Sequence, residues 1–452
     1  MSRDYAETNL TDVTQDLPRA SIRIYRQEAS VVYKASRKLS GKLRGARIAH
    51  ISGSRLRKKE GQYVLEGGGL AEILKSQIPL ENSFGFESRL FLASLSPEFY
   101  SVCRKIYDSF VQTSNKRLTG QEQAVYIGEC EKLGAHINAA LKKKPADLIV
   151  VHDFEYLPII DALPKDIPII LHWHVSFPER SGQTSELLAQ YIRKSNLVIA
   201  SEGQAANRLR QFNPNVSVIA PALNPSNPKN KPFTRQNAAR LLSPLGIDPS
   251  RPILVQVGRL SQQKNPHQAI TVLKQVQRLV PDTQLILAGL YNMPGKDSED
   301  YLHMISRAAA AVDGALIFSN VKQTKRLTNE AFINALLTVS DVVLNMSSNE
   351  AFGLAITEAM WKGKPVVARK SPGALLQISH GRTGMIASSI HDASSMTATL
   401  LQDPKLRLRI GRQAKNSVRR NYLFIRYLKN MMTAYSSCLM APGTGKGQRN
   451  RR

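Results

Sequence analysis

The spacing of the short apolar runs constrains this chain most. From residue 251 onward PILVQVG, QLILAG, ALIF, DVVLNM and PVVA follow one another as strand-length runs. Between them lie longer stretches with helical patterning: 266–280, 298–311, EAFINALLTV and FGLAITEAMWKG. Apolar strands alternating with helices predict a parallel sheet covered on both faces. The first half repeats the scheme, with strands expected near 46–52, 89–94, 147–152, 167–172, 196–200 and 216–220. Its helices are expected in GGGLAEILKSQIPL, 121–143 and GQTSELLAQYIRKS. The prolines and asparagines of PALNPSNPKNKPFTRQNAARLLSPLGIDPSRP separate the two halves as a linker.

At 452 residues the chain outgrows a single core. The expected division is a basic N-terminal extension (1–45), a first domain (46–223), a linker (224–250) and a second domain (251–420). A helix at 421–440 returns to the first domain, a stretch 391–440 reads as helical throughout, and 441–452 form a basic tail. Two doubly wound α/β domains place ligand loops at the carboxyl ends of both sheets, in a cleft between them.

The charge is unusual. With 62 Lys and Arg against 35 Asp and Glu, the net charge is +27. Such a surface suits polyanions: an anionic membrane face, a phosphorylated substrate or nucleic acid. The basic stretch RIYRQEASVVYKASRKLSGKLRGAR reads either as an amphipathic arm for an anionic surface or as a solvated helical appendage. An aromatic content of 6% and the lack of a basic–aromatic stacking stretch speak against a dedicated nucleic-acid module. Three scattered cysteines (Cys103, Cys130, Cys438) make neither a disulfide framework nor a metal cluster. The first residues lack the apolar core of a signal peptide, and the apolar runs are too short to span a bilayer. A cytoplasmic protein, at most peripheral to the inner membrane face, is expected.

Two segments carry chemistry. In VQVGRLSQQKNPHQAI a buried strand ends at Gly258, and Arg259 and Lys264 follow on a short turn before Pro266 opens a helix. Two cations at a strand's carboxyl end suit a diphosphate and would stabilise a departing nucleoside diphosphate. In DVVLNMSSNEAFGLAITEAMWKG a strand gives way to a polar loop and then a helix. Gly353 lets backbone approach a ligand, and amides at the helix start attract anions. Glu350 can accept from sugar hydroxyls, and Glu358 from a ribose. Each feature alone also reads as an ordinary turn or helix start. The acidic GKDSED reads as a solvated loop, and no metal is expected.

Together these segments resemble the retaining GT-B glycosyltransferases of family four, in which two glutamates with seven residues between them accompany an arginine–lysine turn. NEAFINALLTVSDVVLNMSSNEAFGLAITEAMWKGKPVVA, PALNPSNPKNK, GGGLAEILKSQIPL and LHWHVSFPE resemble the trehalose synthase/trehalose phosphorylase branch over residues 46–440. The resemblance implies that Arg259 and Lys264 bind the donor diphosphate and that Glu358 holds the ribose. Glu350, with the backbone of Ala351, Phe352, Gly353 and Leu354, would orient the donor sugar and phosphate. Gly67, Gly68 and Gly69 would form a loop beneath the diphosphate. His174 would set its backbone carbonyl beneath the anomeric carbon, and His152, Asp153 and Ser176 would lie on the acceptor side. The chain departs from the branch at Ser176, where an aspartate is usual, and at Ala351, where a glycine is usual. In SPGALLQISHG it keeps only Gly373 of a glycine pair.

The expected activity is hexose transfer from a UDP-, GDP- or ADP-sugar to a carbohydrate or glycoconjugate acceptor, by a front-face route and without a cofactor. The alternatives are a disaccharide phosphorylase and a non-catalytic polyanion-binding protein, and an oligomer is compatible with either.

Overall fold

The computed structural model describes residues 5–8, 16–53, 55–59, 62–66, 68–111, 117–178, 182–289, 296–324 and 327–441. The chain divides into two compact units, Met1–Pro221 with Phe424–Arg452, and Ala222–Leu423.

The strands of unit 1 are β1 (Tyr5–Thr8), β2 (Arg47–Ser52), β3 (Arg55–Lys59), β4 (Gln62–Glu66) and β5 (Glu87–Ala93), followed by β6 (Leu148–His152), β7 (Ile169–Trp173), β8 (Leu197–Ala200) and β9 (Val216–Val218). The seven-stranded sheet runs β1-β5-β2-β6-β7-β8-β9. Its pairings are parallel except that of β1 with β5. The strand order reverses between β2 and β6, which makes their carboxyl ends a topological switch point. One face is an apolar core that includes Ala49, Ile51, Ile149, Val151, Leu171 and Trp173. β3 and β4 form a separate antiparallel hairpin.

The segment expected as an extension is built into this unit. Its helices Asp16–Glu28 and Ser30–Lys42 bury Ser21, Tyr25 and Ser36, and Leu43 in the turn that follows is buried as well. The second helix packs on the helix Phe424–Leu439. The basic side chains that suggested a free arm are the outer face of a packed pair. The tail beyond residue 441 lies outside the described residues.

Unit 2 holds β10 (Ile253–Val257), β11 (Gln284–Ala288), β12 (Ala315–Phe318), β13 (Val342–Asn345), β14 (Val366–Arg369) and β15 (Met385–Ala387). All pair in parallel in the order β12-β11-β10-β13-β14-β15. Renumbered from β10, this is the 3-2-1-4-5-6 order of a doubly wound nucleotide-binding sheet, with its switch point between β10 and β13. Residues expected as a linker instead form a short turn at Pro228–Asn230 and a helix Arg235–Leu242, which packs on the helix Asn329–Val339. The Trp361 indole N–H donates to the Asn230 carbonyl at 3.0 Å, tying that turn down. GKDSED, expected as a loop, is helical from Lys296, within the helix Lys296–Ala310. Among the described residues, no helix is long and apolar enough to cross a membrane.

Candidate active site

In unit 2, the segments after β10 and β13 leave adjacent strands at the switch point, and buried amides stitch them together. Gln256, on β10, donates from Nε2 to the Lys264 carbonyl at 2.9 Å and accepts from the Met346 amide at 3.2 Å. Gln263 Nε2 donates to the Asn349 carbonyl at 2.8 Å. Asn265, held at φ 47° where the turn meets the helix Pro266–Val276, donates from Nδ2 to the Met346 carbonyl at 3.1 Å. This lacing brings Lys264 Nζ to 2.5 Å from Glu350 Oε2. The same oxygen accepts from Ser347 Oγ at 3.1 Å. Arg259 is half-buried on the same turn.

The loop Glu350–Leu354 is pinned from beneath. Gly353 has φ 82°, and a Cβ there would stand 2.7 Å from Glu350 Cγ. Gly373 donates its amide to the Glu350 carbonyl at 2.7 Å. A Cβ on Gly373 would lie 2.4 Å from the Phe352 carbonyl oxygen, so this glycine of SPGALLQ is needed for close approach. Gln377 donates to the Phe352 carbonyl and accepts from Thr357 Oγ1 at 2.6 Å. Phe352 is buried against Tyr422 with ring centroids 5.7 Å apart, while Ala351 and Leu354 stay partly exposed. The loop backbone thereby enters the helix Leu354–Trp361 in one conformation.

Glu358 is buried one turn into that helix, and its Oε1 lies 2.8 Å from Lys229 Nζ. Sequence reasoning missed Lys229, because the partner sits more than a hundred residues away in the presumed linker. Unit 2 thus gathers Arg259, Lys264, Glu350, Glu358 and the 350–354 backbone at the edge where a nucleotide-binding sheet places its ligand.

The acceptor-side residues lie in unit 1, where strand register explains their meeting. His152 and His172 are register partners on β6 and β7. His50 pairs with Val150, two residues before His152, so all three histidines project from one face. His174 follows His172 by two and shares that face. His152 Nδ1 lies 3.0 Å from His174 Nε2, and its Nε2 lies 3.0 Å from His50 Nδ1. His50 Nε2 in turn lies 3.0 Å from Glu81 Oε2. Glu81 is fully buried and accepts from Gln77 (2.8 Å), Ser88 (2.6 Å) and Tyr435 (2.7 Å). Burial alone would raise its carboxyl, yet the neighbouring His50 and the hydrogen bonds from His50, Ser88 and Gln77 hold it below the usual range.

Burial lowers the pKa of all three remaining imidazoles, that of His174 to about 3, and neighbouring histidines add to the effect at His152 and His172. They are neutral at physiological pH. Asp153, at φ 63°, accepts from the His174 amide at 3.1 Å, and burial pushes its carboxyl well above the usual range. His152 is wholly buried with both nitrogens engaged, so it supports the face rather than presenting to an acceptor. Ser176 is buried as well. Gly68 and Gly69 open the helix Gly68–Ser83 instead of forming a loop, and Gly67 lies outside the described residues. His50, His172 and Glu81 were not anticipated. The H-x-H spacing of LHWH, with the strand period of two, was the available signal for His172.

Residues 63–207 match the family described as trehalose synthase, N-terminal domain, and residues 239–417 match glycosyl transferases group 1. The chain is 28% identical to a trehalose synthase of Thermococcus litoralis over 82% of its own length and 88% of the relative's. It is also 28% identical to a trehalose synthase of Rubrobacter xylanophilus, covering 90% and 94% respectively. Among solved structures, a UDP-forming alpha,alpha-trehalose-phosphate synthase from Burkholderia vietnamiensis superposes with a TM-score of 0.69 at 14% identity, over 88% of this chain and 99% of that one. That likeness shows the fold. The second half of the chain thus matches a glycosyl transferases group 1 domain and the first half a trehalose synthase N-terminal domain, on a GT-B fold.

Proposed function

We propose that the protein is a retaining hexosyltransferase that takes its sugar from a nucleoside diphosphate donor and passes it to a carbohydrate hydroxyl. The observation that carries this reading is the Lys264–Glu350 pair at the β10/β13 switch point, 2.5 Å apart and locked by buried amides. Lys264 and Arg259 hold the donor diphosphate, Glu350 and the 350–354 backbone orient the hexose, and Glu358 engages the ribose. The acceptor oxygen attacks the anomeric carbon from the side of the departing phosphate. Its proton passes to a phosphate oxygen as the carbon–oxygen bond to phosphate breaks. Charge grows on the leaving diphosphate in that step, and the two cations act most strongly there. UDP is the first donor base to test, because the Burkholderia vietnamiensis relative in fold is described as UDP-forming.

A disaccharide phosphorylase would use the same cations for inorganic phosphate. The Lys229–Glu358 pair speaks for it, since it engages the carboxylate that a ribose would need. One experiment separates the two. Unfolding temperature is measured with UDP, GDP, ADP, their glucose conjugates and inorganic phosphate, and sugar transfer to glucose is followed alongside. Stabilisation by one nucleoside diphosphate, lost with transfer in Lys264→Ala by about a hundredfold or more, is expected. Stabilisation by phosphate alone, with trehalose cleaved in its presence, would replace the transferase by the phosphorylase.

A further inference from the structure

Three imidazoles at the β6/β7 end of unit 1 hold more ligand capacity than their hydrogen bonds use. His152, His172 and His174 each offer one nitrogen, and these three atoms lie within 4.8 Å of one another. His172 is wholly buried, yet neither Nδ1 nor Nε2 has a hydrogen-bond partner, and His174 Nδ1 is likewise buried without one. Orphaned nitrogens inside a folded unit are costly, about 1–3 kcal/mol each, and three of them share one cluster. The rings crowd together: His172 and His174 centroids are 3.9 Å apart, and those of His152 and His172 are 5.4 Å apart.

We propose that His152, His172 and His174 form a binding site for a zinc(II)-class ion, a function outside the sugar-transfer reading. This departs from the sequence-based expectation of no metal. Neutral imidazole is the preferred nitrogen ligand of zinc, at about 2.0–2.1 Å, and tetrahedral geometry then sets ligand atoms about 3.4 Å apart. Binding the ion exchanges the 3.0 Å hydrogen bond between His152 Nδ1 and His174 Nε2 for two metal bonds, with the His174 proton moved to its partnerless Nδ1, while His172 has no bond to give up. The outer partners suit the role. A neutral His50 that donates Nε2–H to Glu81 accepts at Nδ1 from His152 Nε2–H, which leaves the His152 Nδ1 lone pair for the ion. The ligand is thus oriented by a histidine and a buried carboxylate, the arrangement that fixes ring and tautomer in metal sites. The Glu81 carboxylate also supplies a compensating negative charge in this unit.

The test uses the untagged full-length protein, stripped with chelator, reloaded with zinc(II) and freed of excess ion before metal analysis. About one zinc per chain is expected. His172→Gln should lose it. Glu81→Gln, which reaches His152 only through His50, should weaken zinc affinity about tenfold. A His303→Ala control on unit 2 should bind as wild type. Cobalt(II) in the wild-type protein should give the intense visible bands of a tetrahedral nitrogen site, which keeps the test decisive if His172→Gln does not fold. Failure to retain zinc, wild-type retention by His172→Gln, or a cobalt spectrum like that of the hydrated ion would each overturn the proposal.

Discussion

Single side chains in unit 2 are held by bonds whose energetics depend on burial. Lys364, in the turn before β14, donates from Nζ to the carbonyls of Thr338 and Ser340, each at 2.8 Å. Burial lowers its pKa to about 8, with Arg235 and Arg407 adding to the effect and Asp341 opposing it. The sign follows from proton counts. Between about pH 8 and the lysine's unfolded value near 10.5, the unfolded chain binds the proton that the folded chain has released. Stability from this residue therefore rises as pH increases across that window, and the cost of the buried charge is fully present below it. Lys364→Met removes the titration. Urea unfolding at pH 8 and pH 10 should show wild type gaining stability relative to the variant at the higher pH. A difference that stays flat, or falls, would mean that Lys364 keeps its charge in the folded state.

At the scale of elements, the donor loop depends on the segment Pro372–Gln377 beneath it. Gly373→Ala would drive a methyl into the Phe352 carbonyl, a backbone atom that the Gln377 amide and the helix start hold in place. The expected cost is on the order of 1–3 kcal/mol, as for overpacking, together with loss of nucleotide affinity because the Gly373 amide also holds the Glu350 carbonyl. Gly182→Ala, where an added Cβ meets nothing within 4 Å, serves as the reference. Equal urea midpoints for the two variants would refute the close-approach argument. Much of this was legible from sequence. β10, β11 and β13 are buried throughout or nearly so, and such strands read as continuous apolar runs. Gly353 stood out because the loop chemistry demanded it, and Gly373 only through the family resemblance. The β3–β4 hairpin was not legible, since RLRKKEGQYVLE carries neither a clear apolar alternation nor a strong turn signal. The extension hid its packing in the same way, with Ser21 and Ser36 among its buried positions. Partners such as Lys229 for Glu358, or Glu81 for His50, are products of tertiary register that no local pattern encodes.

At the scale of the molecule, stability and function are divided between two units, with a core around β6 and β7 in one and a core around β10 and β13 in the other. A chain built this way is not expected to behave as one two-state unit, so a ligand should report on the unit that holds it. At about a hundred times its dissociation constant, a bound nucleoside diphosphate contributes about 2.7 kcal/mol to the state that binds it. Amide hydrogen exchange with UDP, or whichever base the thermal screen selects, should therefore slow most at 258–265 and 346–354. Those segments carry Lys264 and Glu350 and are joined by the Gln263 and Asn265 bonds. Raising the salt should weaken this protection, because the net charge of +27 draws the diphosphate in by a screened attraction. Lys264→Ala should lose the protection while its exchange pattern without nucleotide matches wild type. Slowing confined to unit 1 would move the nucleotide away from the β10/β13 switch point, and the donor assignment of Lys264, Glu350 and Glu358 would fall with it.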